Sequence, residues 1–138
     1  MKIIKPSILI ESEINVQNML TLIERAGRTC YKSEELITSD SAKEFIKKIL
    51  KSGHESVIEH FCLTVRVICD RGVTHEIVRH RIASYSQEST RYCNYSKDKF
   101  GNELTFIQPC FWTVDNEENN QKRELWRNSL LEIEKNYF

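Results

Sequence analysis

Two arginines flanking a histidine form the group of side chains in this sequence that is best suited to binding a ligand. Arg79, His80 and Arg81 open the stretch RHRIASYSQES, which continues into hydroxyl, amide and carboxylate side chains. A guanidinium group stays charged and offers a planar fork of donors that matches phosphate oxygens or the carbonyl edge of a ring. The cluster and the polar loop behind it therefore suit an anionic, planar ligand such as a nucleotide. A solvated basic helix face followed by a polar loop would use the same residue types, as charge clusters commonly do.

A metal site is a second reading of the polar residues. Four histidines could ligate a metal: His54, His60, His75 and His80. The segment HESVIEH is not the zinc-binding pattern H-E-x-x-H, and two residues five positions apart on a helix point about 140° away from each other. We therefore expect no metal site.

A cysteine nucleophile is a third reading. Cys30 and Cys93 each lie near tyrosine and arginine in the sequence. A reactive thiolate needs a positioned base, however, and a free cysteine is more often a small buried hydrophobic residue. The five cysteines contain no C-x-x-C pair, and the N-terminal stretch MKIIKPSILI is too interrupted for a signal peptide. All five are predicted to be reduced thiols in a cytoplasmic protein, and most of them to be structural.

Charge and length restrict the partners. The 138 residues include 20 Lys+Arg and 20 Asp+Glu, so the formal net charge is zero. No field of the whole molecule attracts nucleic acid or a membrane surface, and any anion site must be local. The length suits one domain with a core of its own, and no apolar stretch is long enough to span a membrane.

Apolar periodicity predicts the elements that must position the cluster. Residues 13–26 and the segment SDSAKEFIKKILKSG have the spacing of amphipathic helices, the second starting at Ser39 or Asp40 and ending before Gly53. The segment FCLTVRVICD alternates, which predicts a half-buried strand with Leu63, Val65 and Val67 on its buried face.

The cluster itself is predicted to begin on a helix. Thr74 can cap a short helix that the chain leaves near Ser84. Glu76, Arg79 and His80 would then lie near one helix face. The segment LTFIQPCFW is predicted to be extended as far as Pro109.

A last helix is predicted to run to the end of the chain. Its apolar stripe consists of Trp126, Leu130, Ile133 and Tyr137, and the pattern still continues at Phe138. We expect this stripe to lack its packing partners and to be hidden by self-association.

Four further blocks extend the pattern around the cluster into a family resemblance. RHRIASYSQES matches the R-H-R-x7-S signature of the flavin-dependent thymidylate synthases. The blocks RAGRTCY (25–31), GHESVIEH (53–60), HEIVRHR (75–81) and STRY (89–92) also resemble that family, in its order and spacing. The similarity extends from about residue 15 to residue 112.

The resemblance implies a fold, a reaction and an assembly. The fold would be α+β, with an antiparallel or mixed sheet flanked by helices in a single domain over residues 1–138. The family converts dUMP to dTMP with a methylene group from methylenetetrahydrofolate and with FAD that NADPH has reduced. It forms homotetramers whose active sites lie where subunits meet, and it needs no protein cysteine as nucleophile. The flavin carries the difficult chemistry while the protein binds and orients the reactants.

The resemblance also implies which residues bind each ligand. Those matching FAD-binding positions are Cys30, His54, Ser56, Glu59, Arg79, His80, Arg81 and Gln87. Those matching dUMP-binding positions are Glu76, Arg79, Gln87, Glu88, Ser89, Thr90 and Arg91. At Glu76 many family members carry glutamine, and an ionised carboxylate can only accept hydrogen bonds. The contact of Glu76 with the nucleotide is therefore the least secure of the set.

Length is the main departure from the family. Its members continue for many tens of residues, with further helices that bring additional flavin contacts and arginines for the phosphate and the uracil ring. The resemblance thus implies that the C-terminal part of the family fold is absent from these 138 residues. Two hypotheses follow: a flavin-dependent thymidylate synthase or its N-terminal portion, and a non-catalytic remnant that binds flavin or nucleotide.

Overall fold

Four α-helices and four short strands make up most of the regular structure of the chain. The structure is a computed structural model that describes all residues, Met1–Phe138. The helices are α1 (Val16–Thr29), α2 (Ser41–Lys51), α3 (Arg71–Ile77) and α4 (Glu117–Tyr137). The strands are β1 (Lys2–Ile4), β2 (Ser7–Ile10), β3 (Val65–Ile68) and β4 (Thr105–Ile107). None of the helices is both long and apolar enough to cross a membrane.

The strands form two sheets of two strands each. β1 and β4 are parallel, with Ile3 opposite Phe106 and Ile4 opposite Ile107. β2 pairs with β3 in the other sheet. Small sheets and helices together confirm the predicted α+β class, while the β1–β4 pair is parallel where an antiparallel or mixed sheet was expected.

The chain divides into two compact units. The helical unit is Leu9–Arg66, and the signature unit is Met1–Ile8 together with Val67–Phe138. The chain passes from one unit to the other within β2 and within β3. The single-domain organisation expected from the sequence stays a prediction.

The core of the helical unit forms where the apolar faces of α1 and α2 meet, and a glycine allows the two helices to approach closely. Ile23 of α1 and Ile46 and Ile49 of α2 are buried, as the periodicity predicts. A Cβ on Gly27 would lie 2.7 Å from Cε1 of Phe45, so only glycine leaves room for that ring. Close packing of α1 on α2 therefore depends on one position without a side chain.

A buried carboxylate joins the same two helices. Glu24 is 0% exposed, and its Oε1 accepts hydrogen bonds from Arg28 Nε and Nη2 at 3.1 and 2.9 Å. Its Oε2 accepts a 2.9 Å hydrogen bond from the hydroxyl of Ser41 at the start of α2. The Arg28 guanidinium lies 4.4 Å from the centre of the Phe45 ring. Both carboxylate oxygens of Glu24 thus have partners, which is the condition for burying a charge.

The ends of α2 agree with the sequence in position but not in every contact. Asp40 occupies the N-cap position, yet its side chain makes no capping hydrogen bond. The Thr38 N–H instead donates to the hydroxyl of Ser41 at 2.8 Å. Past the C-terminus, Gly53 adopts a φ of +73° and donates to the Leu50 carbonyl, which confirms the predicted glycine ending.

β3 is a strand, but its predicted buried face is wrong. Leu63, Val65 and Val67 are 48%, 43% and 40% exposed. The strand pairs only with β2, and every residue of both strands is exposed. Alternation predicts which side chains share a face, but burial requires a second layer against that face.

α4 is covered in part. Asn116 caps it by accepting from Asn119 N, Trp126 packs edge-on against Trp112 at 6.0 Å, and the Tyr137 hydroxyl accepts from Tyr95 N at 3.1 Å. Ile133 remains 52% exposed. The expectation of an uncovered stripe is therefore right for Ile133 and wrong for Trp126 and for the buried Leu130.

Candidate functional site

The helix before the cluster starts and ends earlier than predicted. Asp70 is the N-cap of α3, and its carboxylate accepts a 3.0 Å hydrogen bond from Val73 N. Thr74 lies inside the helix rather than at its start, and α3 ends at Ile77. The helix starts after Asp70 because a carboxylate at the N-cap accepts a hydrogen bond from a free N–H and interacts favourably with the positive end of the helix dipole. The arginine cluster consequently follows the helix instead of lying on it.

The cluster lies on an exposed turn. Arg79, His80 and Arg81 are all exposed. Arg79 Nη1 is 3.9 Å from the Glu76 carboxylate, and both side chains are 74% exposed. Such a pair contributes little to stability because water screens it and two long side chains must be ordered. The charges of the cluster are therefore available to an external anion.

Two hydrogen bonds hold the following loop on α3. Gln87 Nε2 donates to the Thr74 hydroxyl at 2.5 Å, and Arg71 Nη2 donates to the Glu88 carbonyl at 3.1 Å. Closer to the cluster, the Tyr85 hydroxyl donates to the His80 carbonyl at 3.0 Å. The loop has no regular secondary structure of its own, so these contacts define its course.

A tight turn follows at the serine of the signature. The Ser89 carbonyl accepts hydrogen bonds from Tyr92 N at 3.2 Å and Cys93 N at 2.9 Å, and its hydroxyl accepts one from Arg91 N at 3.3 Å. Ser89 is half-buried, whereas Thr90 and Arg91 are exposed. The structure thus brings together the predicted dUMP residues from Gln87 to Arg91 on one short loop.

The remaining flavin candidates belong to the helical unit. His54 Nδ1 lies 3.1 Å from the Tyr31 hydroxyl. Ser56 and Glu59 are exposed on a short 3₁₀-helix, Glu55–His60. Cys30 is exposed at the end of α1, with its thiol 3.9 Å from the Ala26 carbonyl. His54, Ser56 and Glu59 are close in the chain and therefore form one local group.

The candidate residues thus form two groups, one in each unit. Cavities of about 550 Å³ and 260 Å³ are present, the first lined by residues such as Glu103 and Glu134 and the second by residues such as Met19 and Leu22. No candidate residue lines either cavity. No three His, Cys, Asp or Glu side chains are grouped so that they could hold a metal ion.

The thiols give no sign of a nucleophile. Burial, with the Asp70 carboxylate beside it, raises the pKa of the Cys69 thiol. A raised pKa favours the protonated thiol, which is the unreactive form. Cys30 and Cys93, the two candidates considered from the sequence, have no base in hydrogen-bond contact: the thiol of Cys30 is near only a carbonyl oxygen.

Three residues of the site were not predicted from the sequence. Arg71 and Thr74 contact the loop, and Tyr31 contacts His54. Arg71 and Thr74 are three positions apart on α3, a spacing that places two side chains on one helix face. Tyr31 lies within the block RAGRTCY, but its partner is 23 positions away. Such a contact becomes visible only when the helical unit is folded.

Comparison with known proteins adds independent observations. Residues 12–138 match the family described as "Thymidylate synthase complementing protein". Curated relatives named "Flavin-dependent thymidylate synthase" include one from Pyrococcus abyssi, 39% identical over 106 residues that cover 76% of this chain and 41% of the relative.

Two further relatives carry the same name. The protein from Geobacter sulfurreducens is 40% identical over 54% of this chain and 35% of its own length. The protein from Mycobacterium avium is 43% identical over 51% of this chain and 30% of its own length. The chain thus spans less than half the length of these relatives, and no solved structure matches it.

Proposed function

The chain belongs to the thymidylate synthase complementing protein family, and we propose that it provides the flavin- and dUMP-binding part of a cytoplasmic flavin-dependent thymidylate synthase. The reaction is methylation of dUMP to dTMP, with methylenetetrahydrofolate as one-carbon donor and NADPH as reductant. The relatives' shared name supports the reaction class. The identity of the substrates comes from the resemblance of the RHRIASYSQES stretch and the four accompanying blocks.

One observation carries the proposal: an exposed cationic turn is followed directly by a polar loop that is held in place. Arg79 and Arg81 are exposed in a chain with no net charge, and the only ion pair of Arg79 is the long contact to Glu76. Buried or tightly paired arginines would favour a structural role instead. Guanidinium groups open to solvent beside an ordered loop have the chemistry that a nucleotide phosphate requires.

The donors present fit FAD. The pyrophosphate of FAD is anionic, and Arg79, His80 and Arg81 offer planar guanidinium and imidazole donors that suit it. His54 and Ser56 offer donors to the polar edge of a planar ring system. Bound flavin supplies the reducing equivalents that convert the transferred carbon to a methyl group. The protein residues bind and orient this group and need not form a bond to it.

The loop from Gln87 to Arg91 is proposed to bind dUMP. Ser89 binds substrate through its hydroxyl and the backbone rather than as a nucleophile, because the partner of its hydroxyl is the Arg91 N–H and not a base. Arg91 is exposed and carries a charge suited to the nucleotide phosphate. While it is ionised, the Glu76 carboxylate can only accept hydrogen bonds, so it can pair with a donor on the nucleotide but not with the phosphate.

A homotetramer with sites between subunits is part of the proposal. Leu130 is the one buried residue in the signature unit, which leaves the candidate loop without a core beneath it. A site built from exposed side chains excludes water only when more protein covers it. Other subunits would supply that cover.

Binding of FAD and dUMP by the purified chain tests the proposal. We expect a yellow protein on purification with FAD, and heat of binding when dUMP is added to the flavin-loaded chain. The double variant Arg79→Ala/Arg81→Ala should lose both signals. Arg127→Ala, which removes an exposed arginine from α4, is the matched control and should retain them.

The alternative function is a protein that binds flavin or nucleotide without turnover. Release of the C5 proton of dUMP in the presence of FAD, NADPH and methylenetetrahydrofolate separates the two. Binding with proton release above the rate measured without protein supports the enzyme, even where that rate is far below a relative's, and binding with no release above that background supports the non-catalytic protein. Absence of binding to either ligand would contradict both.

A further inference from the structure

Two side chains on one side of α3 contact the loop from Gln87 to Arg91, which is proposed to bind the nucleotide. Neither of them matches a ligand-binding position implied by the family resemblance. Arg71 Nη2 donates to the Glu88 carbonyl at 3.1 Å, and the Thr74 hydroxyl accepts from Gln87 Nε2 at 2.5 Å. The two contacts reach adjacent residues of the loop from residues one helical turn apart. They therefore act on the same short segment of the loop, one through a side-chain amide and one through a backbone carbonyl.

A hydrogen bond within α3 determines whether the Thr74 hydroxyl acts toward the loop as a donor or as an acceptor. It donates its only proton to the Arg71 carbonyl at 2.9 Å, so a lone pair is what it offers to the loop. Gln87 must then present its amide N–H₂ to Thr74, as the geometry has it. Its carbonyl oxygen is left as an acceptor for another partner. The helix thus selects one of the two orientations of the Gln87 amide.

We propose that Arg71 and Thr74 are positioning residues that hold Gln87 and Glu88 in the conformation that binds the nucleotide, and that Thr74 orients Gln87 as a hydrogen-bond acceptor. This inference rests on the proposed role of the loop in binding dUMP. In this role neither residue needs to contact the ligand. They lower the cost of ordering the loop, which otherwise has no secondary structure to restrain it.

Substitution of Thr74 provides the sharpest test. Thr74→Val keeps the shape of the side chain and removes the hydroxyl, whereas Thr74→Ser keeps the hydroxyl. Thr29→Val is the matched control, because the Thr29 hydroxyl makes the same kind of helix contact, 2.9 Å to the Arg25 carbonyl, without a partner outside the helix. Arg71→Ala removes the second contact.

Two measurements are made on the full 138-residue chain. Calorimetry with FAD present should give a dUMP affinity about 2- to 12-fold weaker for Thr74→Val and Arg71→Ala, the range expected for the net loss of one hydrogen bond whose remaining partner can pair with water. Amide hydrogen exchange of Arg91, Tyr92 and Cys93 should become faster in the same two variants, because the turn at Ser89 loses its anchor. Thr74→Ser and Thr29→Val should resemble wild type in both measurements.

Amide hydrogen exchange of the loop tests the positioning role even when no ligand is bound. If Thr74→Val exchanges these amides as Thr29→Val does, or if Thr74→Ser behaves like Thr74→Val, the positioning role is overturned. If wild type binds no dUMP while loop exchange changes as expected, the proposed function fails and the positioning of the loop by α3 is upheld. Unchanged dUMP affinity in Thr74→Val, with wild type binding normally, would also overturn the inference.

Discussion

The guanidinium groups of the arginine cluster are exposed, so their contribution to folding and their contribution to binding can be separated. Arg79 has one ion pair, at 3.9 Å, between side chains that are 74% exposed. Exposed pairs of this kind typically contribute between zero and about 1 kcal/mol to stability. Ligand binding, which would desolvate the same charge, depends on it far more.

Arg79→Ala is therefore expected to weaken binding without unfolding the chain. Loss of one partner of a buried, hydrogen-bonded charge pair should weaken FAD or dUMP binding by about 2–4 kcal/mol. The free energy of unfolding in urea should stay within about 0.5 kcal/mol of wild type, as for other surface substitutions. Calorimetry measures the first quantity. Unchanged affinity for both ligands would count against the assignment of Arg79.

Ser89→Ala is expected to weaken dUMP binding and leave turnover measurable. The hydroxyl accepts from Arg91 N and has no base in contact, so its removal costs one hydrogen bond, about 3- to 30-fold in affinity. The measurement is made in a full-length relative that carries the same block, by steady-state kinetics. A nucleotide adduct on Ser89 in the mass spectrum would contradict the binding role.

At the scale of elements, α1 and α2 are held together by close packing and by a buried hydrogen-bond network. Gly27 allows the Phe45 ring to approach α1, and the Glu24 network connects the helices through Arg28 and Ser41. This pair carries the segment that ends at Gly53, next to His54. The helical unit therefore holds its flavin candidates directly after the helices of a packed pair, whereas the signature unit holds its own on an exposed turn and loop.

Glu24→Gln is expected to destabilise the helical unit by about 2–4 kcal/mol, because it leaves the partly buried Arg28 charge without its charged partner. Urea unfolding followed by circular dichroism measures the change. The control is Glu44→Gln, which removes the carboxylate of an exposed pair with Lys47 on α2 and should leave the unfolding midpoint unchanged. Equal midpoints for the two variants would show that the Glu24 network does not stabilise the fold.

At the scale of the whole molecule, the number of buried residues differs sharply between the units. The signature unit buries only Leu130, while the helical unit buries Ile23, Ala42, Ile46 and Ile49 with Glu24 and Gly27. Large side chains such as Ile82 and Phe111 remain 80% and 71% exposed. This exposure agrees with the proposed assembly, in which other subunits would cover the signature unit.

The 138-residue chain assayed alone is accordingly expected to make dTMP at least about 10²–10³-fold more slowly than the Pyrococcus abyssi relative. Donors that are not held in place lose their effect on the transition state, and one such donor typically accounts for a factor of that size. The matched region covers 41% of the relative. Proton release from C5 of dUMP is the assay, and a rate near that of the relative would contradict the prediction.

The sequence by itself determined the features that depend on neighbours along the chain. The apolar spacing of α1, α2 and α4 and the glycine after α2 were predictable because helix periodicity and chain reversal are local properties. The family was predictable for the same reason, since its blocks are short and linear. The grouping of the dUMP candidates from Gln87 to Arg91 on one loop was also predictable, because these residues are consecutive in the sequence.

Only the tertiary structure decided what depends on partners distant in sequence. The exposure of Val65 and Val67 follows from the lack of a second layer over β3, which alternation cannot reveal. Glu24 is a charged residue of a type usually found at the surface, yet it is buried. Its burial is possible because Arg28, one helical turn away, and Ser41, 17 positions away in the sequence, donate hydrogen bonds to its carboxylate. The contact of Thr74 with Gln87 likewise needs the folded loop. Hydrogen bonds and burial are properties of pairs and layers, and the sequence specifies them only through the fold that brings the partners together.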